Sequence, residues 1–401
     1  MELREKENNK LSNFICLDVI FIFLVNIFPL IAITLSIQEN IFSLVLKVIL
    51  GFFFAMNLPI IFRHFDIKII FFVVLSCVIT LFQFLLFPSL NIFFKNTALS
   101  FWTLCFLPSI CIYLIDDYNV LMKKLEKSST IITLIFLVFI ILKISGVIQT
   151  GFDNYSMGLG YSCLIPALIL LHSYFESNKL TKILAFFILV IGIVLIGSRG
   201  PLLGIILFLL YEIIRSFFNR KKSFSQFLSS FFLITFCSFL MFFYKDILIY
   251  FSDFLKSNGT TSRTLNMLIA DADNSTGRDK IYELLIMNIK ESPFVVRGIN
   301  SDYVLLDGIY AHNIVLEIIY DFGIIIGGII LLFLFFNIIK TLFKIPTSNG
   351  LIICCILMFA SIPKLFISST LWEEYSFWMW LMICLKFNLF NFSIQKVGEL
   401  A

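Results

Sequence analysis

The sequence predicts an all-α polytopic membrane protein with about twelve transmembrane helices and one long loop that contains short helices. Two observations of composition predict this fold. Hydrophobic residues make up 60% of the 401 residues and charged residues only 14%, whereas about a quarter of the residues in a soluble domain are charged. Apolar runs near the roughly 20 residues that cross a bilayer recur from one end of the chain to the other.

The predicted spans follow these apolar runs in order. They lie at about 14–36, 41–62, 67–87, 97–115, 130–145, 159–175, 180–197, 201–218, 224–244, 313–338, 350–368 and 373–391. The first ten residues, MELREKENNK, precede an apolar run without a small-residue cleavage site. This pattern is typical of an uncleaved first span rather than a removable signal peptide.

The basic residues between the spans predict the orientation. With the N-terminus in the cytoplasm, the inner segments hold eighteen Lys and Arg residues and the short outer loops hold three. Long loops cross the membrane regardless of charge, so residues 245–312 are left out of this comparison. We therefore expect both termini to be cytoplasmic. Residues 1–244 would form about nine spans, residues 245–312 an extracytoplasmic catalytic loop, and residues 313–401 about three spans of one membrane domain.

Most polar residues that could carry chemistry lie in residues 271–323. Thr276 and Asp279 have the spacing of a capping box before an amphipathic helix that Pro293 would end. The face predicted for that helix comprises Ile281, Leu284, Leu285, Asn288 and Ile289. Arg278 would lie in its first turn, where free N–H groups and the helix dipole favour an anion. This arrangement predicts a site for a phosphate-bearing substrate.

A second arginine lies at a helix start on the same predicted face. Arg199 stands between the seventh and eighth spans, and Pro201 suits the first position of the helix that follows. Gly197 and Gly200 allow a tight turn there. The alternative for Arg199 is snorkelling at the membrane interface. Two guanidinium groups on one face could together bind the oxygens of a pyrophosphate.

His312 is the one histidine expected on the outer face. Histidine can be neutral and basic near pH 7, as a general base must be. The alternative is an interfacial histidine that caps a helix. Asn313 and Glu317 follow it four residues apart and would share a helix face. Because Glu317 lies one turn into a span, we expect its carboxylate to have a partner.

Several other functional classes are disfavoured. All nine cysteines fall in apolar segments, so no disulfide framework or cysteine metal site is expected. Residues 271–282 depart from a calcium-binding loop at the required glycine and at the closing glutamate. Residues 197–204 lack the Lys-Ser/Thr of a P-loop. No metal, cofactor or nucleic-acid partner is therefore expected. Lys47 and Lys364 lie within spans and could mark an ion path.

Five short segments together resemble the bacterial O-antigen ligase and polymerase superfamily. They are Gly-Ser-Arg-Gly at 197–200, Ser-Thr-Gly-Arg-Asp-Lys-Ile-Tyr at 275–282, Glu-Ser-Pro-Phe at 291–294 with Arg297-Gly298, Tyr-Ala-His-Asn-Ile-Val-Leu-Glu at 310–317 through Gly323, and Phe377-Trp378. Each segment is short. The resemblance rests on their order and spacing around the long loop.

The resemblance implies a GT-C-like glycosyltransferase in the bacterial cytoplasmic (inner) membrane, with an extracytoplasmic active site. It implies an undecaprenyl-pyrophosphate-linked glycan as donor, with membrane lipid and a chain-length regulator protein as further partners. Arg199 and Arg278 would hold the donor pyrophosphate, and His312 would deprotonate or orient the acceptor hydroxyl. The further substrate-binding candidates in the matching segments are Arg297, Asn313 and Glu317.

The segments at 310–317 resemble repeat-unit polymerases more than ligases, which often have a second histidine near this site. We therefore expect a polymerase that transfers the chain to the next lipid-linked unit. The alternative within the family is an O-antigen ligase that transfers it to lipid A-core. An alternative of another class is a flippase or transporter of lipid-linked oligosaccharide, which predicts charged residues at mid-membrane and repeated halves.

Overall fold

A computed structural model describes most of the chain. The described residues are 2–35, 39–144, 157–196, 198, 200–218, 244–257, 278–344 and 348–387. Every regular element within them is helical. The helices are α1 Glu2–Leu35, α2 Glu39–Arg63, α3 Ile67–Leu86, α4 Asn91–Ser100, α5 Leu107–Leu114, α6 Tyr118–Ile144, α7 Met157–Ser162, α8 Leu164–Ser177, α9 Leu180–Ile196, α10 Gly200–Phe218, α11 Tyr244–Ser257, α12 Arg278–Glu291, α13 Ser301–Leu305, α14 Ile314–Phe343, α15 Asn349–Leu365 and α16 Tyr375–Lys386.

Six helical segments among the described residues are long and apolar enough to cross a bilayer. They are Glu2–Ile31, Ile67–Leu86, Pro88–Leu114, Tyr118–Leu142, Met157–Ser177 and Ile314–Phe343. Three shorter apolar helices are Val48–Arg63, Leu180–Ile196 and Asn349–Leu365. The chain is therefore a polytopic helical membrane protein, but these helices do not confirm a count of about twelve spans. The span predicted at 224–244 lies outside the described residues, apart from its last one.

The centre of the bundle is formed by α1, α5, α6, α8, α15 and α16, which pack against one another. Large side chains such as Phe14, Phe136 and Trp380 are fully buried there. Helices α3 and α14 bury only 22% of their most apolar windows. Their outer faces expose residues such as Leu85 and Ile329, which are 68% and 64% exposed. Exposed apolar faces of this kind are expected where lipid, not water, is the solvent.

Helix α14 covers the span predicted at 313–338 and is broken at Gly323. Gly323 has φ 71° and ψ 167°, far from helical values. The backbone groups released by the break are bound by the preceding loop. The Ile324 N–H donates to the Pro293 carbonyl at 2.8 Å, and the Arg297 N–H donates to the Asp321 carbonyl at 2.8 Å. Pairing of this kind is what makes a helix break tolerable at membrane depth.

The two parts of α14 lie close together beyond the break. A Cβ added at Gly327 would lie 2.8 Å from the Ile318 carbonyl oxygen, although nine positions separate the two residues. The helix therefore turns sharply at Gly323. The short first part carries residues 314–322, and the 20-residue second part is long enough to cross a bilayer.

The fourth predicted span contains a π-helical segment at Phe101–Phe106 between α4 and α5. Pro108 follows in the first turn of α5 and lacks the N–H that an uninterrupted α-helix would use. The fifth predicted span, 130–145, is the second half of a longer helix, α6, which begins at Tyr118.

Candidate active site

The start of α12 lies against the turn that carries His312. Arg278 lies in the first described turn of α12. One turn later, the Tyr282 hydroxyl donates to the His312 carbonyl oxygen at 3.4 Å. Arg278 and Tyr282 are four residues apart and so share a helix face. Arg278 is also close enough for its charge to act on the imidazole of His312. Thr276, which the sequence predicts to cap this helix, lies outside the described residues.

The His312 turn is fixed at both of its ends. His312 has φ +55°, a left-handed conformation that is uncommon for a residue other than glycine. Before it, the Ala311 N–H donates to Asp302 Oδ2 at 2.8 Å. After it, Asn313 Oδ1 accepts from the Val315 N–H at 2.9 Å. Asn313, and not His312, is therefore the N-cap of α14. These contacts fix the backbone on both sides of His312.

Burial and, to a smaller extent, the positive charge of Arg278 together lower the pKa of His312 from 6.5 to about 4. The imidazole is therefore neutral at pH 7. Its Nδ1 atom is buried without a hydrogen-bond partner in the described part of the chain. The ring packs against Tyr310, with 3.9 Å between the two ring centroids. A neutral imidazole has one nitrogen without a proton and can therefore act as a general base.

A chain of hydroxyl groups joins this turn to the start of α10. The Tyr310 hydroxyl donates to the Ser368 carbonyl oxygen at 2.7 Å. The Ser368 hydroxyl in turn bonds the Tyr161 hydroxyl. Gly200 lies against both Tyr161 and Ser368, because an added Cβ would overlap the Tyr161 hydroxyl and lie 3.2 Å from Ser368 Oγ. Arg199 itself is outside the described residues, but its neighbour Gly200 is linked to the His312 turn by this network.

Lys364 lies beside the same network. Its ammonium group forms an ion pair with Glu374, whose side chain is 1% exposed. It also lies 4.9 Å from the centre of the Tyr161 ring. The lysine is thus neutralised within the bundle, next to the tyrosine that contacts Gly200.

The Glu317 carboxylate has partners, as expected for an acid in a membrane helix. Thr370 Oγ1 donates to Glu317 Oε1 at 2.5 Å, and the Leu371 N–H donates to the same oxygen at 3.2 Å. Glu317 therefore fastens the 370–371 turn to the first part of α14. Two other buried carboxyl groups, Asp302 and Asp321, interact with it electrostatically. Burial raises the pKa of Asp302 to about 6.

Arg297 is held by backbone carbonyl groups. Its guanidinium donates to the carbonyls of Asn288, Ser292, Val295 and Tyr320 at 2.9 to 3.4 Å. It also stacks 4.6 Å above the Tyr320 ring. These contacts attach the end of α12 to α14. Four of the five N–H donors of Arg297 are used in this way, which indicates a positioning role, and its predicted contact with substrate stays a prediction.

The structure brings Arg278, His312 and Asn313 together and places Glu317 and Arg297 in structural contacts nearby. Tyr282 is not among the predicted site residues, although its spacing of four from Arg278 predicts a shared helix face. Tyr310 is likewise not among them, although it lies two residues before His312. No sequence pattern indicates Tyr161 or Ser368. In the described part of the chain no group of three His, Cys, Asp or Glu residues could hold a metal ion.

The fold and the site define a multispan helical membrane protein with a histidine and an arginine near each other at the start of a broken membrane helix. Residues 184–336 match the family described as O-antigen ligase. This match supports the resemblance of that part of the chain to the O-antigen ligase and polymerase superfamily. The matched range includes Arg199, Arg278, Arg297, His312 and Glu317. Comparison with curated proteins and with solved structures finds no significant match.

Proposed function

We propose that the chain polymerises lipid-linked oligosaccharide repeat units at the outer face of the bacterial cytoplasmic membrane. The donor would be a glycan on undecaprenyl pyrophosphate, and the acceptor a sugar hydroxyl of the next lipid-linked unit. The observation that carries this proposal is that Arg278 lies near enough for its charge to act on the neutral His312, while the Tyr282 hydroxyl on the same helix is bonded to the His312 carbonyl. The family match supports a glycan-transferring enzyme of the ligase and polymerase type.

In the proposed reaction, the acceptor hydroxyl attacks the donor sugar at C1. The bond between C1 and the pyrophosphate oxygen breaks, and its electron pair stays with the leaving undecaprenyl pyrophosphate. His312 takes the proton of the acceptor hydroxyl. Arg278, together with Arg199, would bind the pyrophosphate, on which negative charge grows as the bond breaks. Such contacts lower the barrier because they strengthen toward the transition state.

Binding of the donor would also improve His312 as a base. Without substrate, burial and the Arg278 charge keep the pKa of the imidazole near 4. A pyrophosphate bound to Arg278 brings negative charge close to the imidazole. An opposite charge nearby favours the protonated form and so raises the pKa. His312 would then accept the proton most readily when the donor is in place.

Two other functions make different predictions. One is an O-antigen ligase, which is the description of the matching family. A ligase differs from the polymerase only in its acceptor. A flippase would depend on charged residues within the spans, of which Lys364 was the candidate. Lys364 forms an ion pair with Glu374 and lies beside Tyr161, which contacts Gly200. This position favours a role for Lys364 in the proposed active site over a role in a separate ion path.

The experiment is complementation of a deletion strain with wild type, Arg199→Ala, Arg278→Ala or His312→Ala at matched membrane levels. Lys280→Ala is the control, because Lys280 is an exposed cation in the same first turn of α12 as Arg278. Glycans are then measured separately on the carrier lipid and on the surface lipid. We expect the three site variants to leave single repeat units on the surface lipid and no long chains, and the control to make long chains.

Long chains that accumulate on the carrier lipid would identify a ligase instead. Normal long-chain glycan in all three variants would reject the proposed site. Loss of surface glycan in Lys364→Ala with normal glycan in Arg278→Ala would favour the transporter.

A further inference from the structure

A cavity of about 520 Å³ lies between α1, α2 and α6, in the half of these helices nearest the N-terminus of α1. This volume is within the range of small-molecule sites, roughly 300–1,000 Å³. No residue of the candidate active site lines it. The cavity therefore requires an explanation of its own.

Three lysines and no carboxylate line this cavity. Lys10 comes from α1, and Lys124 and Lys127 come from consecutive turns of α6. The Lys124 ammonium donates to the Asn9 carbonyl and to Asn13 Oδ1, both at 2.8 Å. An ammonium group has three donors, so one of its N–H groups is left for a ligand. Neither Lys10 nor Lys127 has an ion-pair partner among the described residues.

The remaining wall is apolar and opens toward lipid. Phe53, Met56 and Ile131 line the cavity and are 36%, 55% and 48% exposed on the membrane side of the bundle. Phe14 closes the inner end and is fully buried. The cavity thus has a cationic end and an apolar side that is continuous with the bilayer. A free anion could use only the first of these two features.

The lining also includes an unused polar group. Asn57 is 5% exposed, and its Nδ2 donates to the Phe53 carbonyl at 2.8 Å. Its Oδ1 is buried and has no hydrogen-bond partner in the described part of the chain. A buried acceptor without a donor is costly, so a ligand that carries a hydroxyl group would satisfy it. The site thus offers cations for a phosphate, an acceptor for a hydroxyl and an apolar slot.

We propose that this cavity, which we name the lysine groove, binds one anionic phospholipid. The lysines would hold the phosphate, Asn57 would accept from a headgroup hydroxyl, and the acyl chains would follow Met56 and Ile131 into the bilayer. Charge complementarity selects an anionic headgroup over a zwitterionic one. The bound lipid joins α1, α2 and α6 and so stabilises the bundle. This proposal is independent of the proposed enzymatic function.

The test uses the full-length protein in a detergent without charge. Its Tm is measured with added phosphatidylglycerol, with phosphatidylcholine of the same acyl chains, and with inorganic phosphate alone. We expect phosphatidylglycerol to raise the Tm, because a ligand that binds only the folded state stabilises it. Phosphatidylcholine and inorganic phosphate should have little effect. Native mass spectrometry should show one retained phosphatidylglycerol per chain.

The double variant Lys10→Gln/Lys127→Gln should lose most of this rise in Tm. Both lysines are exposed and unpaired in the described chain, so their replacement leaves the fold intact. The matched control is Lys123→Gln, which removes an exposed charge from the same part of α6 outside the groove. An equal rise with phosphatidylcholine or with phosphate alone would overturn the proposal. A full rise in the double variant would overturn it as well.

Discussion

The imidazole of His312 packs against the ring of Tyr310, with 3.9 Å between the centroids and 45° between the planes. Tyr310 is itself held by its hydroxyl, which donates to the Ser368 carbonyl oxygen at 2.7 Å. Tyr310 thus connects the turn at residue 368 to the imidazole, because it contacts both. A residue that only orients the base should affect rate more than substrate binding.

Two substitutions of Tyr310 separate its ring from its hydroxyl. Tyr310→Phe keeps the ring and loses one hydrogen bond, worth about 1 kcal/mol or a factor of about five in rate. Tyr310→Leu also removes the surface that orients His312 and should lower kcat further, with a smaller change in KM. Chain extension by purified protein in vesicles measures both. Equal activity of Tyr310→Leu and Tyr310→Phe would show that the ring contact does not orient the base.

The charge of Arg278 should be detectable in the titration of His312. The Arg278 cation disfavours a second positive charge nearby, so Arg278→Gln should raise the pKa of His312 from about 4 toward the ordinary value of 6.5. Lys280→Gln, which removes an exposed charge from the same turn, should change this pKa less. Histidine-selective NMR of the detergent-solubilised protein can follow the titration. The resonances of His64 and His172, which lie in other parts of the bundle, serve as internal controls.

Local patterns predicted those parts of the site that depend on neighbouring residues in the chain. A helix that includes Arg278 follows from the amphipathic pattern, and its end before Pro293 follows from the missing proline N–H. Hydropathy likewise located the apolar helices. The predicted face of α12 was less accurate, because Leu284 is 38% exposed whereas Leu285 is fully buried. Which of two adjacent leucines is buried depends on the angle at which α12 lies on α14.

The remaining features depend on contacts distant in sequence. The bond between Tyr161 and Ser368 joins residues 207 positions apart, and no local pattern marks either residue. The break in α14 is similar. An isolated glycine in an apolar run is compatible with a continuous helix. The backbone groups that the break leaves without helical partners are bonded by Pro293 and Arg297, which are distant in sequence. Hydropathy cannot detect those partners.

Gly323→Ala tests whether the break in α14 is required for stability. The positive φ of Gly323 strains any other residue, and an added Cβ would lie 3.0 Å from the Phe294 carbonyl group. Strain of this kind costs about 1–3 kcal/mol, so the Tm should fall. Gly328→Ala is the matched control, because a Cβ there meets no atom within 4 Å and alanine favours a helix. A similar Tm for the two variants would show that α14 adapts without the break.

Arg297→Lys should loosen α12 from α14. The planar guanidinium reaches several carbonyl groups at once, and an ammonium group cannot reproduce that geometry. Each lost bond to a charged donor costs about 1.5–3 kcal/mol. Amide hydrogen exchange should therefore quicken in α12, whereas Lys290→Gln, which alters an exposed residue of that helix, should leave exchange unchanged. Unchanged exchange in Arg297→Lys would favour the original prediction that Arg297 serves the substrate.

The Glu317 carboxylate should contribute to the stability of the fold through its hydrogen bonds rather than to substrate binding through its charge. Glu317→Ala leaves the Thr370 hydroxyl and the Leu371 N–H buried without an acceptor, at a cost of about 1–3 kcal/mol. Glu317→Gln keeps one oxygen acceptor, so its Tm should stay close to that of wild type. If the carboxylate instead binds substrate through its charge, Glu317→Gln should lose activity at an unchanged Tm. Parallel measurement of Tm and chain extension in the two variants therefore separates the structural role of Glu317 from the substrate-binding role that the sequence predicts.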